Sequence, residues 1–135
     1  MLELVIMVEP KGKARPRTVT KGGRTWTYTP PASAHLESLI REAVLKEKKY
    51  FEKGIPLKLD ITFYLARPKS IPKKRLFPIT KPDVSNLLKC FEDAVEKYLF
   101  ANDSQLTTIS MRKRYDTIPK IHLVIEEDSP DETKD

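Results

Sequence analysis

Residues 57–65 alternate without a break between apolar and polar side chains: Leu57, Leu59, Ile61, Phe63 and Leu65 against Lys58, Asp60, Thr62 and Tyr64. A period of two places the two sets on opposite faces of a strand, whereas a helix would spread both around its axis. One face therefore belongs to a core and the other to water or a partner. Such a strand cannot stand alone. Its edges carry unpaired amide and carbonyl groups, and its apolar face needs a cover.

Further strands are legible on both sides of it. Met1–Val8 is a nearly continuous apolar run, ended by Pro10, of the kind expected to be buried on both faces. Lys21-Gly22-Gly23-Arg24 reads as a hairpin tip, with Thr25–Tyr28 as the returning strand and Pro30-Pro31 as its stop. Leu106–Tyr115 alternates again, with Ile109, Met111 and Tyr115 on one side and Ser110, Arg112 and Arg114 on the other. With Ile121–Ile125 it is expected to form a C-terminal hairpin.

Two amphipathic helices supply the cover. The first is expected to start at Ser33 as N-cap, with Glu37 near its positive end and Leu36, Leu39, Ile40, Ala43 and Val44 on one face, and to stop before Gly54. The second begins near Asp83 with the stripe Leu87, Phe91, Ala94, Val95 and Tyr98, followed by the turn Asn102-Asp103-Ser104. This order predicts an α+β fold: a single domain over residues 1–125, a mixed β-sheet with two helices packed on one face, and an acidic tail, 126–135, expected to be disordered.

The charge is unevenly spread. The net charge of the 135 residues is +6, yet the tail holds six acids and one base; without it the body has 24 bases against 13 acids. Such a body attracts polyanions. Cys90 is the only cysteine, so no internal disulfide is possible, which suits a cytoplasmic location. The start is too short and too charged for a signal peptide, and no apolar run approaches the roughly 20 residues of a membrane helix. His35 and His122 fit no metal-ligand spacing with each other or with Cys90 and are read as structural.

The stretch Lys81-Pro82-Asp83-Val84-Ser85-Asn86-Leu87-Leu88-Lys89, continued by Asp93-Ala94 and by Asn102-Asp103-Ser104-Gln105, resembles the signature of RusA-type Holliday junction resolvases. In that family a D-x-D-N-L-x-K run opens a helix, and a D-D-x-Q turn follows it. Lys11-Gly12-Lys13-Ala14-Arg15-Pro16-Arg17 also looks like the family's longer members. The resemblance implies a homodimeric, Mg2+-dependent nuclease (Mn2+ as substitute) for four-way DNA junctions in recombination and repair, in a bacterial or phage-infected cell. It assigns Asp83 and Asp103 to the metal and Lys89 to catalysis. Two positions depart from the pattern: the second family aspartate is Ser85, and the first acid of the D-D pair is Asn102.

The residue types suit the chemistry. Magnesium takes hard oxygen ligands, commonly one or two carboxylates with water and phosphate completing the shell. A lysine two turns into the helix offsets charge on a phosphoryl transition state. Asn86 or Asp93 could stand in for the acid missing at Ser85. In ordinary structural roles, Asp83 is a helix N-cap, Asp103 a turn acid, and Lys89 with Asp93 an exposed i, i+4 pair. Along a straight helix Asp83 and Asp103 lie too far apart to share an ion, so either the chain folds back or a second subunit supplies one of them.

Two basic loops are the candidate DNA surface: Lys11, Lys13, Arg15, Arg17, Lys21 and Arg24 in one, and Lys69, Lys73, Lys74, Arg75 and Lys81, with Arg67, in the other. They are expected to sit together at one edge of the sheet. Trp26 and Tyr28 are read first as core or strand residues and second as stacking platforms. Phe91, Tyr98 and Leu99 are the expected dimer contact. Two rival readings stay open: a DNA-binding protein weakened by Ser85, and a general metal-dependent nuclease for branched DNA.

Overall fold

The computed structural model describes residues 1–13, 17–28 and 30–130. Six strands, β1 (Leu2–Ile6), β2 (Arg17–Lys21), β3 (Arg24–Tyr28), β4 (Leu57–Ala66), β5 (Leu106–Asp116) and β6 (Lys120–Glu127), combine with two helices, α1 (Pro31–Lys46) and α2 (Val84–Val95), and a 3-10 turn at Asp103–Gln105. Four strands make one mixed sheet in the order β1-β6-β4-β5, and β2 with β3 forms a separate hairpin. The expected α+β fold, one mixed sheet with two helices on its apolar face, is what the chain adopts.

The alternation at 57–65 does what its period requires. Leu57, Leu59, Ile61 and Phe63 are 0–1% exposed and face Ile121, Leu123 and Ile125 of β6 together with Leu36, Ile40 and Val44 of α1 and Leu87, Phe91, Ala94 and Val95 of α2. Fully burying each such side chain is worth about 1.5–3 kcal/mol. The opposite face is polar: Arg112 donates to Asp60 Oδ1 at 2.7 Å and to Thr62 Oγ1 at 2.7 Å, and His122 Nε2 lies 2.8 Å from Glu3 Oε2, a structural role as expected.

Several local expectations are corrected. β1 is an edge strand, not one buried on both faces: Leu2 and Ile6 are buried, while Val5 is 48% exposed. β5 and β6 are not a hairpin; β4 lies between them, antiparallel to β6 and parallel to β5. This lets β6, buried at Ile121, Leu123 and Ile125, take a central position. Helix α1 starts at Pro31 with Pro30 as N-cap, because proline fits the first helical turn, and Ser33 is buried inside it. Leu39 is exposed.

The end of α2 also differs. Lys97, at φ 74°, reverses the chain after Val95, so Tyr98 lies outside the helix and is exposed beneath the Arg41 guanidinium, 4.6 Å from the ring centroid. Phe91 and Leu99 are fully buried and cannot serve as a dimer contact. Trp26 and Tyr28 do lie in a strand, but on the exposed hairpin and not in the core. The hairpin tip forms as expected, with Gly22 and Gly23 at φ 59° and 76°. The folded body extends past residue 125: β6 runs to Glu127, and the Asp128 carboxylate accepts bonds from Thr108 and Thr107 at 2.6 and 2.7 Å. Residues 131–135 of the acidic tail lie outside the described residues.

Candidate active site

Helix α2 is amphipathic, and its two faces have different work. Leu87, Leu88, Cys90, Phe91, Ala94 and Val95 enter the core, which leaves Ser85, Asn86, Lys89 and Asp93 on the surface. Asp83 occupies the N-cap position but makes no capping bond with its side chain, so its carboxylate is available to a ligand at the positive end of the helix. Lys89 is one turn beyond Ser85. Helical side chains lean toward the N-terminus, so its ammonium reaches over Ser85 toward the Asp83 end.

Asp103 is placed by a buried glutamine. The Gln105 side chain accepts from the amides of Ala101 and Asn102, each at 3.0 Å, and donates to the carbonyls of Glu52 (2.9 Å) and Ile55 (3.1 Å). Asn102 and Gln105 together cap the 3-10 turn, a role asparagine fills as well as the acid of the family pattern. The Asp103 amide donates to Glu96 Oε2 at 3.0 Å. Glu92 is close by; its carboxyl is raised above the ordinary range, first by burial and then by the Asp103 charge.

These contacts put Asp83 and Asp103 at opposite ends of α2. Twelve residues of helix span roughly 18 Å, against metal–oxygen distances of about 2 Å for magnesium. The chain does not fold back to join them. Among the described residues, no group of three or more His, Cys, Asp or Glu side chains is placed to hold a metal ion. Within one subunit, therefore, the two expected metal ligands do not fit a shared ion.

Of the two expected substitutes for the missing acid, Asp93 is engaged by its carboxylate, and Asn86 meets the same segment through its backbone carbonyl. Asp93 Oδ2 is 3.2 Å from Lys13 Nζ, which also donates to Glu37 Oε2 at 2.5 Å. The Lys13 amide donates to the Asn86 carbonyl at 3.4 Å, and Gly12 lies so close to Asn86 that a Cβ there would come within 2.5 Å of its amide nitrogen. Residues 11–13 thus form a strap across α2. Lys13, expected on the DNA surface, is an internal cation with a 14% exposed side chain. Burial opposes its charge, but the bonds to Glu37 and Asp93 prevail and raise its pKa. Glu37 had no assigned partner in the sequence.

The two basic loops do meet. Lys11 and Gly12 line one open cavity of about 410 Å3 with Pro68, Pro78, Lys81 and Pro82, at the C-terminal ends of β4 and β5. A neighbouring cavity of about 500 Å3 adds Arg67, Lys69 and Lys73, together with Asp116. Lys113 joins the loop to the sheet: its ammonium donates to the carbonyls of Thr80 (2.6 Å) and Pro82 (2.8 Å), directly before Asp83. Its signal in the sequence is a base at a position sharing the strand face of Ile109 and Met111. Arg17, Lys21 and Arg24 lie on the exposed hairpin; Arg15 lies outside the described residues.

A model of the endodeoxyribonuclease RusA family matches residues 8–126, most of the chain. The chain belongs to the RusA endodeoxyribonuclease family. As a member it is an enzyme of the nuclease class. This RusA-family chain is also 25% identical over 136 residues to the uncharacterized protein YqaN of Bacillus subtilis (strain 168), a match covering 93% of this chain and 96% of that protein. It is 35% identical over 85 residues to the crossover junction endodeoxyribonuclease rusA of Lactococcus phage r1t, covering 61% of this chain and 63% of the phage protein. Among the described residues, no helix of this RusA-family chain is long and apolar enough to cross a membrane.

Proposed function

We propose that this chain resolves four-way DNA junctions by paired symmetric nicks, acting as a homodimer with a divalent metal ion, Mg2+ or Mn2+ in its place. The observation that carries the reading is the separation of Asp83 and Asp103 at the two ends of α2. Among the described residues β5 has a free edge, and on its apolar face Ile109 and Met111 are 38% and 39% exposed. An unpaired edge of eleven residues, with Ile109 and Met111 uncovered near its middle, is a template for pairing. Two β5 strands pairing antiparallel about a two-fold axis near Ser110 bring the Leu106 end of one beside the Arg114 end of the other. Asp83, next to the Lys113 anchor, then meets Asp103 of the partner subunit, and the same meeting recurs across the axis. Two equivalent sites match two symmetry-related scissile phosphates.

Asp83 and the partner's Asp103 would hold the metal. Bound there, it supplies phosphate polarisation and a hydroxide near neutral pH. The amides of the first turn of α2 bind the same phosphate. Lys89 offsets the charge that builds on it. The strap at Lys11 and the loop ending at Lys81 position the flanking backbone.

The test is a mixed dimer of Asp83→Asn and Asp103→Asn protomers. Shared sites leave one of the two sites intact, so the mixed dimer nicks a junction once, while each pure variant is inactive. A mixed dimer as inactive as the pure variants refutes shared sites. Cleavage of four-way junction and linear duplex side by side, with metal and with chelator, tests the activity itself.

A second reading, an attenuated enzyme that chiefly binds junctions, is favoured by Ser85. It is exposed one turn before Lys89, and the Asp93 carboxylate is committed to the strap. Ser85→Asp separates the two: a large gain in cleavage supports attenuation, and no gain shows that the serine is tolerated.

A further inference from the structure

The loop joining β4 to α2 carries a feature that tracking phosphates does not require. Leu76, Phe77 and Ile79 are 65%, 53% and 73% exposed. They stand within Arg67–Lys81, a stretch of six bases and no acid. A segment that only follows a nucleic-acid backbone needs cations and polar groups. Three large apolar side chains in water within four residues mark a contact surface.

The loop is held in place. Arg67 Nη2 donates to the Arg75 carbonyl at 2.9 Å, and the amides of Ile71 and Arg75 close turns onto the carbonyls of Pro68 and Pro72, each at 3.0 Å. The Arg114 guanidinium lies over the Phe77 ring, 5.0 Å from its centroid. The Lys113 anchor fixes the C-terminal end of the loop one residue before Asp83. An ordered loop loses little entropy on insertion, so its apolar tip is presented at low cost and at a set distance from Asp83.

Charge selects the occupant. A second copy of this loop would set bases against bases with no acid between them, so the partner is a polyanion. Entry between the bases of a regular duplex requires unstacking a base step, at about a few kcal/mol. Where helical stacking is already interrupted, apolar side chains enter between bases without that cost. We propose that Leu76, Phe77 and Ile79 form a wedge that enters the branch point of a DNA junction, with Phe77 stacked on an exposed base. The flanking bases hold the surrounding phosphates. The wedge, on this inference, is the element that prefers branched over linear DNA, and it rests on the junction reading above.

Four-way junctions carrying 2-aminopurine at the crossover or in mid-arm, titrated with the full-length protein in chelator, report unstacking directly. The expected result is a fluorescence rise at the crossover and none in the arm. Phe77→Ala abolishes the rise and lowers the junction-over-duplex preference about tenfold, and Phe77→Trp retains both. Ile79→Ser, at the most exposed of the three positions, lowers the preference without depending on the Arg114 contact. Selective junction binding with a flat crossover signal, or an unchanged preference in both Phe77→Ala and Ile79→Ser, overturns the wedge and leaves the junction reading standing. Equal affinity of the wild type for junction and duplex overturns both.

Discussion

Replacing Lys13 by methionine removes the charge that ties the N-terminal strap to both helices. Lys13 and Glu37 have side chains only 14% and 12% exposed, while Asp93 is 36% exposed. Removing one partner of a buried pair costs about 3–5 kcal/mol, and an exposed pair contributes about 0–1. The Glu37 contact, part-buried, lies between the two limits and the Asp93 contact near the second, so the expected loss is about 2–3 kcal/mol. For a chain of this size that lowers Tm by roughly 7–12 °C. Urea denaturation is the suitable assay, since urea does not screen charge. Adding Glu37→Gln should restore much of the loss by removing the stranded carboxylate.

The pH dependence has a definite sign. Because the folded-state pKa of Lys13 is raised above 10.5, the ion pairs contribute fully below pH 10.5 and fade as the pH rises through the folded value. Wild type and variant should therefore converge in stability above about pH 10.5. A cost below about 0.5 kcal/mol, or one that persists undiminished at high pH, would refute the reasoning.

Three further outcomes are expected. Gln105→Ala removes four hydrogen bonds from a buried side chain and should cost about 2–4 kcal/mol in urea unfolding, with cleavage falling further than stability because the Asp103 turn loosens. Lys73→Ala and Lys81→Ala should each flatten the log–log salt dependence of junction binding by about one unit, whereas Lys13→Met should leave the slope unchanged. Cys90 is 2% exposed, and burial pushes its thiol up to about 11, so iodoacetamide should label it at pH 7.5 only after denaturation.

The elements and most of their inward faces were legible because they depend on local periodicity; the exceptions are β1, Leu39 and Tyr98, whose burial depends on what packs beside them. The alternation at 57–65, the helical stripe of α2 and the glycine pair at 22–23 each specify local backbone geometry without reference to the rest of the fold. Strand order was not legible. Nothing in Leu106–Asp116 or Lys120–Glu127 tells that β4 lies between them, since pairing partners are chosen by how the sheet buries its most apolar strands. The same limit applies to charge. Lys13 and Lys81 look alike in sequence, but one is neutralised between two helices and the other lines a basic cavity.

For the candidate site, the sequence alone determined which residue types are present and where α2 starts: Asp83 at a helix N-terminus, Lys89 two turns on, Asp103 in a turn, and a serine in place of an acid. Only the tertiary structure decided that Asp83 and Asp103 stand a helix length apart, that Asp93 and the Asn86 carbonyl hold the strap, and that Lys13 is drawn out of the basic surface into an ion pair with Glu37. The physical reason is reach. Local hydrogen bonding and helix propensity act over a few residues, so composition and spacing reveal them, whereas the Lys13–Glu37 ion pair and the hydrogen bond from Lys113 to the Pro82 carbonyl join segments 24 and 31 residues apart and exist only once the core has closed.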